Sequence, residues 1–219
     1  MIPTRKVQAE KKRIIKNCKK CKGIGCSSCM GYGAFIDKMV EAEIPVDYWF
    51  RMIEDFYGDE NLKKFIIDYN VEQEYLNGKS LFLFGGSGTG KTFAACALLK
   101  KVILENYSAF YITLSDLVTY LTGAKPEFKI LLKEYDFIVI DEVDKRFFPS
   151  QMSMELYGNQ LENILRSRMQ NRLPTILCSN TGDIEQIFDE GQFQTSFISL
   201  SSQFMKQIPV IGKDARASK

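Results

Sequence analysis

Between residues 79 and 211 the apolar positions come in short unbroken blocks separated by longer stretches of mixed character. The blocks are Ser80–Phe84, Ala109–Thr113, Phe137–Ile140 and Thr175–Cys178, with a last one at Ile208–Ile211. A run of four or five apolar residues bounded by polar ones predicts a strand covered on both faces, the habit of parallel sheets. The intervening stretches carry helical spacing: Lys91–Asn106, a short helix capped by Ser115 and carrying Leu117, Val118 and Leu121, and Leu156–Asn171. Strand and helix in rotation predict an α/β fold, a parallel sheet flanked by helices and joined by right-handed crossovers.

Ahead of this region the pattern changes. From Pro45 to Tyr75 the apolar residues Tyr48, Met52, Phe56, then Leu62, Phe65, Ile66 and Tyr69 recur at helical intervals. They predict two helices broken at Gly58-Asp59, with stripes that face the next domain. Residues 18–33 are rich in cysteine and glycine, and residues 1–17 form a polar arm, helical from Val7 to Asn17. The expected division is therefore a basic arm and zinc-binding module at 1–43, a helical linker at 44–78 and a nucleotide-binding domain at 79–219.

Charge sharpens that division. Residues 1–22 hold nine basic side chains against the single acid Glu10, a local charge of +8 in a chain of net +2, which leaves −6 for the remainder. A basic arm on a mildly acidic body is either an attachment for an anionic partner, most simply nucleic acid, or a solvated tail. No apolar run reaches the ~20 residues that cross a bilayer. The amino terminus leads into lysine and glutamate rather than an apolar signal region, so the expected setting is cytoplasmic, with no membrane.

The chemistry begins at Gly85-Gly86-Ser87-Gly88-Thr89-Gly90-Lys91-Thr92, which fits G-x-x-x-x-G-K-[ST] at every fixed position. Glycines let backbone N–H groups curl around phosphates, and the helix that follows presents its positive end. Lys91 is expected to reach the β- and γ-phosphates of ATP, and the Thr92 hydroxyl to ligate Mg2+. The apolar run Phe137–Ile140 then ends in Asp141-Glu142. Asp141 is expected to hold the magnesium or its water, and Glu142 to polarise the attacking water. The run Thr175–Cys178 ends in Ser179-Asn180, where Asn180 either senses the γ-phosphate or caps a helix starting near Asp183.

In this order and spacing, the P-loop strand, the Asp-Glu strand and the Ser-Asn strand resemble an AAA+ ATPase. With Ile44-Pro45, Phe56-Tyr57-Gly58-Asp59, Leu173-Pro174-Thr175 and Gly212-Lys213-Asp214-Ala215-Arg216, residues 44–216 resemble the DnaC/DnaI helicase loaders and their IstB transposition relatives. The resemblance implies an ATPase that self-associates into an ATP-dependent oligomer and binds single-stranded DNA. It also implies a replicative DNA helicase as partner, contacted by the amino-terminal region, and a late arginine, Arg216, that senses nucleotide. One departure stands out. The family carries an arginine finger after the Ser-Asn strand, worth about 10³–10⁵ in rate, but Leu173 to Ala215 contains no arginine and Ser199–Gln203 occupies the expected place. Lys206, Arg146, Arg166 and Arg168 are the candidate substitutes, and slow turnover is the alternative.

Histidine is absent, so a metal site must use thiolates or carboxylates. Cys18-Lys19-Lys20-Cys21-Lys22-Gly23-Ile24-Gly25 and Cys26-Ser27-Ser28-Cys29-Met30-Gly31-Tyr32-Gly33 are tandem copies of C-x-x-C-x-G-x-G. Two such knuckles predict a closed tetrahedral Zn2+ site on Cys18, Cys21, Cys26 and Cys29. An iron–sulfur cluster and free or redox thiols are the alternatives. The repeat resembles that of DnaJ over these sixteen residues only, which implies no chaperone activity. Cys96 and Cys178 fall in the predicted core. Four functions remain in play: a helicase loader, an IstB-like helper that binds duplex DNA and a transposase, a small-molecule kinase, and a zinc-bearing adaptor with a slow nucleotide switch. The Asp-Glu pair suits water attack better than transfer to an acceptor.

Overall fold

The structure, a computed structural model, describes residues 32–122, 132–147, 151–181 and 191–212, together with 8–9, 185, 187 and 188. Apart from residues 8–9, the basic arm lies outside these residues, as do the four clustered cysteines (Cys18, Cys21, Cys26, Cys29) and Arg216. Among the described residues no helix is long and apolar enough to cross a membrane.

Among the described residues five strands form one all-parallel sheet: β1 (Ser80–Phe84), β2 (Ala109–Thr113), β3 (Phe137–Asp141), β4 (Thr175–Ser179) and β5 (Met205–Pro209), in the order β2-β3-β4-β1-β5. Their apolar runs are continuous because both faces are covered. Leu81, Leu83, Val139, Ile176 and Cys178 point into one core; Phe82, Ile138, Ile140 and Leu177 point into the other. The second core is closed by α5 (Leu114–Thr122), α6 (Gln151–Gln170) and α7 (Gln192–Phe204). The first is closed by α4 (Lys91–Leu104), the helix that follows the glycine loop, and by apolar residues between Phe35 and Tyr75 ahead of β1.

That leading segment packs as part of the same core. In α1 (Tyr32–Glu41), Ile36 and Met39 are wholly buried, and Trp49 is buried with its indole N–H donating to Ile44 O at 2.8 Å. The first of the two helices expected between Pro45 and Tyr75 is absent; two 3-10 turns, Val46–Tyr48 and Ile53–Asp55, stand there. The second is itself two helices, α2 (Glu60–Asp68) and α3 (Val71–Asn77). Side-chain caps explain the division. Asp59 Oδ1 accepts from the N–H groups of Asn61 and Leu62, and Asn70 Oδ1 from that of Gln73, each cap worth about 1 kcal/mol. The segment is riveted to α4 by two lysines. Lys101 Nζ donates to the carbonyls of Ile66, Ile67 and Tyr69, and Lys100 Nζ to those of Tyr48 and Arg51.

Three further expectations are corrected. The cap of α5 is Thr113, whose Oγ1 accepts from Asp116 N at 3.1 Å, two residues ahead of Ser115. Helix α6 begins at Gln151 rather than Leu156. The last strand begins at Met205 rather than Ile208, because α7 runs directly into it and sets its register, Ser80 opposite Met205 through Phe84 opposite Pro209. As an edge strand it leaves Lys206, Gln207 and Pro209 exposed, so it never displays an unbroken apolar run.

Arg168, near the end of α6, is completely buried. Its guanidinium donates to Thr175 Oγ1 and to the carbonyls of Leu132, Tyr135, Asp136 and Pro174. It ties the helix to the entry points of β3 and β4, which removes it from the candidate arginine fingers. Arg166 is held by Glu162 and Ser196, Arg146 by Asp144, and Lys206 lies 4.5 Å over the Phe65 ring.

Candidate nucleotide site

Strand β1 stops at Phe84 because its next residue must turn. Gly85 has φ +150°, and a Cβ there would sit 2.3 Å from Val210 O. The tip is held between its neighbours, with Gly85 N donating to Ser179 O on β4 and Val210 N to Phe84 O just past β5. The loop then curls through Gly86–Gly90, where Gly90 takes φ +101° and starts α4. Lys91 is folded inside this curl, donating to Gly85 O at 2.8 Å and Gly86 O at 2.6 Å, so the ammonium lies at the centre of the cradle.

The tips of β3 and β4 face the loop. Ser179, buried at β4's end, donates through Oγ to Val143 O at 2.7 Å, and Val143 N donates to Cys178 O at 2.8 Å. This pair of bonds sets Glu142 and Asn180 side by side. Glu142 takes φ +56°, which turns it out of the strand direction toward the cavity, where it is partly covered. Burial and, after it, the nearby Asp141 charge raise the Glu142 carboxyl above its ordinary pKa, the direction that suits a general base. Asp141 is buried at the foot of the site, with Oδ2 accepting from Tyr111 Oη at 2.8 Å and Oδ1 from Glu142 N at 2.7 Å.

A cavity of about 530 Å³ opens over the loop, within the usual size of small-molecule sites. Of the residues expected from sequence, Ser87, Gly88, Gly90, Lys91, Thr92, Glu142 and Asn180 line it, while Asp141 lies beneath the wall. Asn180 thus reaches the cavity, and the residues that would test its capping alternative, 182–184, lie outside those described. A third wall was not foreseen: Tyr48, Arg51, Asp55, Phe56 and Tyr57 close the side away from the strands. Phe56 is packed against Phe93 and beneath the loop, where a Cβ on Gly90 would come within 2.6 Å of its ring. The helical spacing noted over this stretch marks its apolar residues, but nothing local in the sequence says that they meet the loop thirty residues on.

Ammonium, hydroxyl, paired carboxylates and amide, at the carboxyl ends of parallel strands beside a helix amino terminus, suit the phosphates of a nucleoside triphosphate with its magnesium. The sheet order and this site define an ATPase of the P-loop class, with the AAA+ arrangement. The profile of the family described as IstB-like ATP binding protein matches residues 55–198, and the chain belongs to that family. The replicative helicase loader DnaI of Bacillus subtilis (strain 168) is 25% identical over 126 residues, covering 55% of this chain and 38% of that protein. The chain thus spans well under half the length of that relative. Among solved structures, that of DnaI superposes with a TM-score of 0.60 at 19% identity, covering 78% of this chain and 93% of that one. The DnaC helicase loader superposes with a TM-score of 0.53 at 17% identity, covering 76% and 100%.

Proposed function

We propose that the protein is an ATP-dependent loader of a replicative DNA helicase. The observation that carries the reading is a cavity lined by the phosphate loop, Glu142 and Asn180 in a chain that is similar to a helicase loader. In this reading Lys91 and the loop N–H groups of residues 85–92 bind the phosphates. Thr92 and Asp141 hold magnesium, which neutralises charge on the phosphates when bound. Glu142 takes the proton of the attacking water, and Asn180 orients that water. Arg216 contacts nucleotide in cis. Turnover is slow unless a partner or neighbouring subunit lends an arginine, since the stretch after the Ser-Asn strand, Leu173 to Ala215, contains none.

Residues 1–43 form the basic arm and the zinc module on Cys18, Cys21, Cys26 and Cys29; this end holds the helicase, and 44–78 join it to the ATPase domain. That domain engages single-stranded DNA, weakly and with steep salt dependence because the body outside the arm is net acidic, and more tightly when ATP lets subunits assemble along the strand. The test mixes the protein with its cognate replicative helicase and follows sizing chromatography with and without ATP. Co-elution that is lost on deleting residues 1–33, with ATP binding retained, supports the loader; no co-elution under any nucleotide condition refutes it. The family match favours a second reading, an IstB-like transposition helper. It predicts ATP-dependent binding of duplex DNA and of a transposase, with no helicase contact.

A further inference from the structure

We infer that Tyr111 is a positioning residue for the magnesium carboxylate, and that it joins that carboxylate to the amino-terminal segment. Tyr111 lies in β2 opposite Val139, two residues below Asp141 on the same face of the sheet. From there the buried phenol reaches diagonally across the strand pair and donates to Asp141 Oδ2 at 2.8 Å. The other oxygen is taken by Glu142 N, so the carboxylate is fixed from two directions and cannot turn freely about its own axis. The same tyrosine is bound through its backbone. Its N–H donates to Ala42 O at 2.8 Å, just past the end of α1, on the outer edge of β2. One residue thus makes a hydrogen bond to the segment that leads out of the amino-terminal region and another to the carboxylate beneath the catalytic glutamate. Shape alone would be satisfied by phenylalanine. The hydroxyl is the part that packing does not require, and it meets an anion that the proposed mechanism needs in one orientation.

The inference rests on the assignment of Asp141 to magnesium, and the experiment separates the two. A fluorescent ATP analogue is titrated with magnesium and with EDTA into wild type, Tyr111→Phe, Asp141→Asn and the double variant. If Asp141 holds the metal, Asp141→Asn loses the gain in affinity that magnesium gives to wild type; if it keeps that gain, the site assignment itself is wrong. If Tyr111 positions the carboxylate, Tyr111→Phe weakens the magnesium-dependent gain about 10-fold, the lower end for loss of a partner that orients a metal ligand. It leaves the Kd in EDTA unchanged and adds nothing in the Asp141→Asn background. A magnesium gain in Tyr111→Phe equal to that of wild type overturns the proposal. If Tyr111→Phe alone does not fold, the double variant does, because the cost then arises from an unmatched buried carboxylate. A double variant that also fails to fold means that the hydroxyl serves folding and not the carboxylate, and sinks the idea equally.

Discussion

Replacing Arg168 by methionine keeps most of the side-chain volume and removes the guanidinium. Five oxygens, one hydroxyl and four carbonyls, lose their donor at distances of 2.8–3.2 Å in a site with no solvent exposure. Taken singly, bonds from a charged donor contribute about 1.5–3 kcal/mol each, and a plain sum would exceed the stability of most domains. The sum is misleading, because burying the cation costs several kcal/mol that methionine never pays. Each buried acceptor left unmatched costs about 1–3 kcal/mol, and with the avoided burial of the cation set against that sum the net loss expected is about 3–5 kcal/mol. For a chain of this size it lowers Tm by roughly 6–20 °C. Urea unfolding followed by circular dichroism, with an unchanged m-value, reads the difference directly. A loss below about 1 kcal/mol would refute the structural role. Full stability combined with lost ATP turnover would return Arg168 to the list of arginine fingers.

Three other outcomes are expected. ATP hydrolysis needs Glu142 as the carboxylate, so the rate falls as pH drops through its raised pKa, and the acid limb of the pH–rate profile lies above that of an ordinary glutamate; Glu142→Gln retains ATP and abolishes turnover, and equal rates for the two proteins would refute the base. Gly90→Ala forces a Cβ against the Phe56 ring at φ +101°, so it costs about 1–3 kcal/mol and weakens ATP binding in a nucleotide titration, whereas wild-type behaviour in both would contradict the clamp. The double change Cys21→Ser with Cys26→Ser removes one equivalent of zinc by elemental analysis, and an unchanged metal content sinks the zinc module.

The central strands and the phosphate loop were legible because each is written locally. A strand buried on both faces needs consecutive apolar residues, and the loop needs glycine, lysine and threonine at fixed steps. What escaped was written across distance or in capping residues. Asp59 and Asn70 begin α2 and α3 and could have placed both helices, but the apolar stripe alone ran them together. Helix α7 escaped because Ser199, Ser201, Ser202 and Gln203 dilute the apolar stripe of Phe197, Ile198, Leu200 and Phe204. The edge strand β5 carries Lys206 and Gln207 toward solvent, so it lacks the signature that revealed its neighbours. The wall from Tyr48 to Tyr57 and the Tyr111–Asp141 bond depend on which elements the fold brings together, and no spacing along the chain encodes that meeting.

The strand order has a consequence for how this chain acquires its activity. β1 is made early, yet its two neighbours are β4 and β5, whose residues follow it by roughly a hundred positions. During synthesis at the ribosome it therefore waits unpaired, with an apolar run exposed, until β4 and β5 have emerged. The loop that hangs from its tip takes its shape from Ser179 and Val210, so it too must wait. A nascent chain halted before Val210 would hold every residue of the glycine loop and still lack the contact that shapes it. Competence to bind nucleotide is thereby withheld until Val210 is in place.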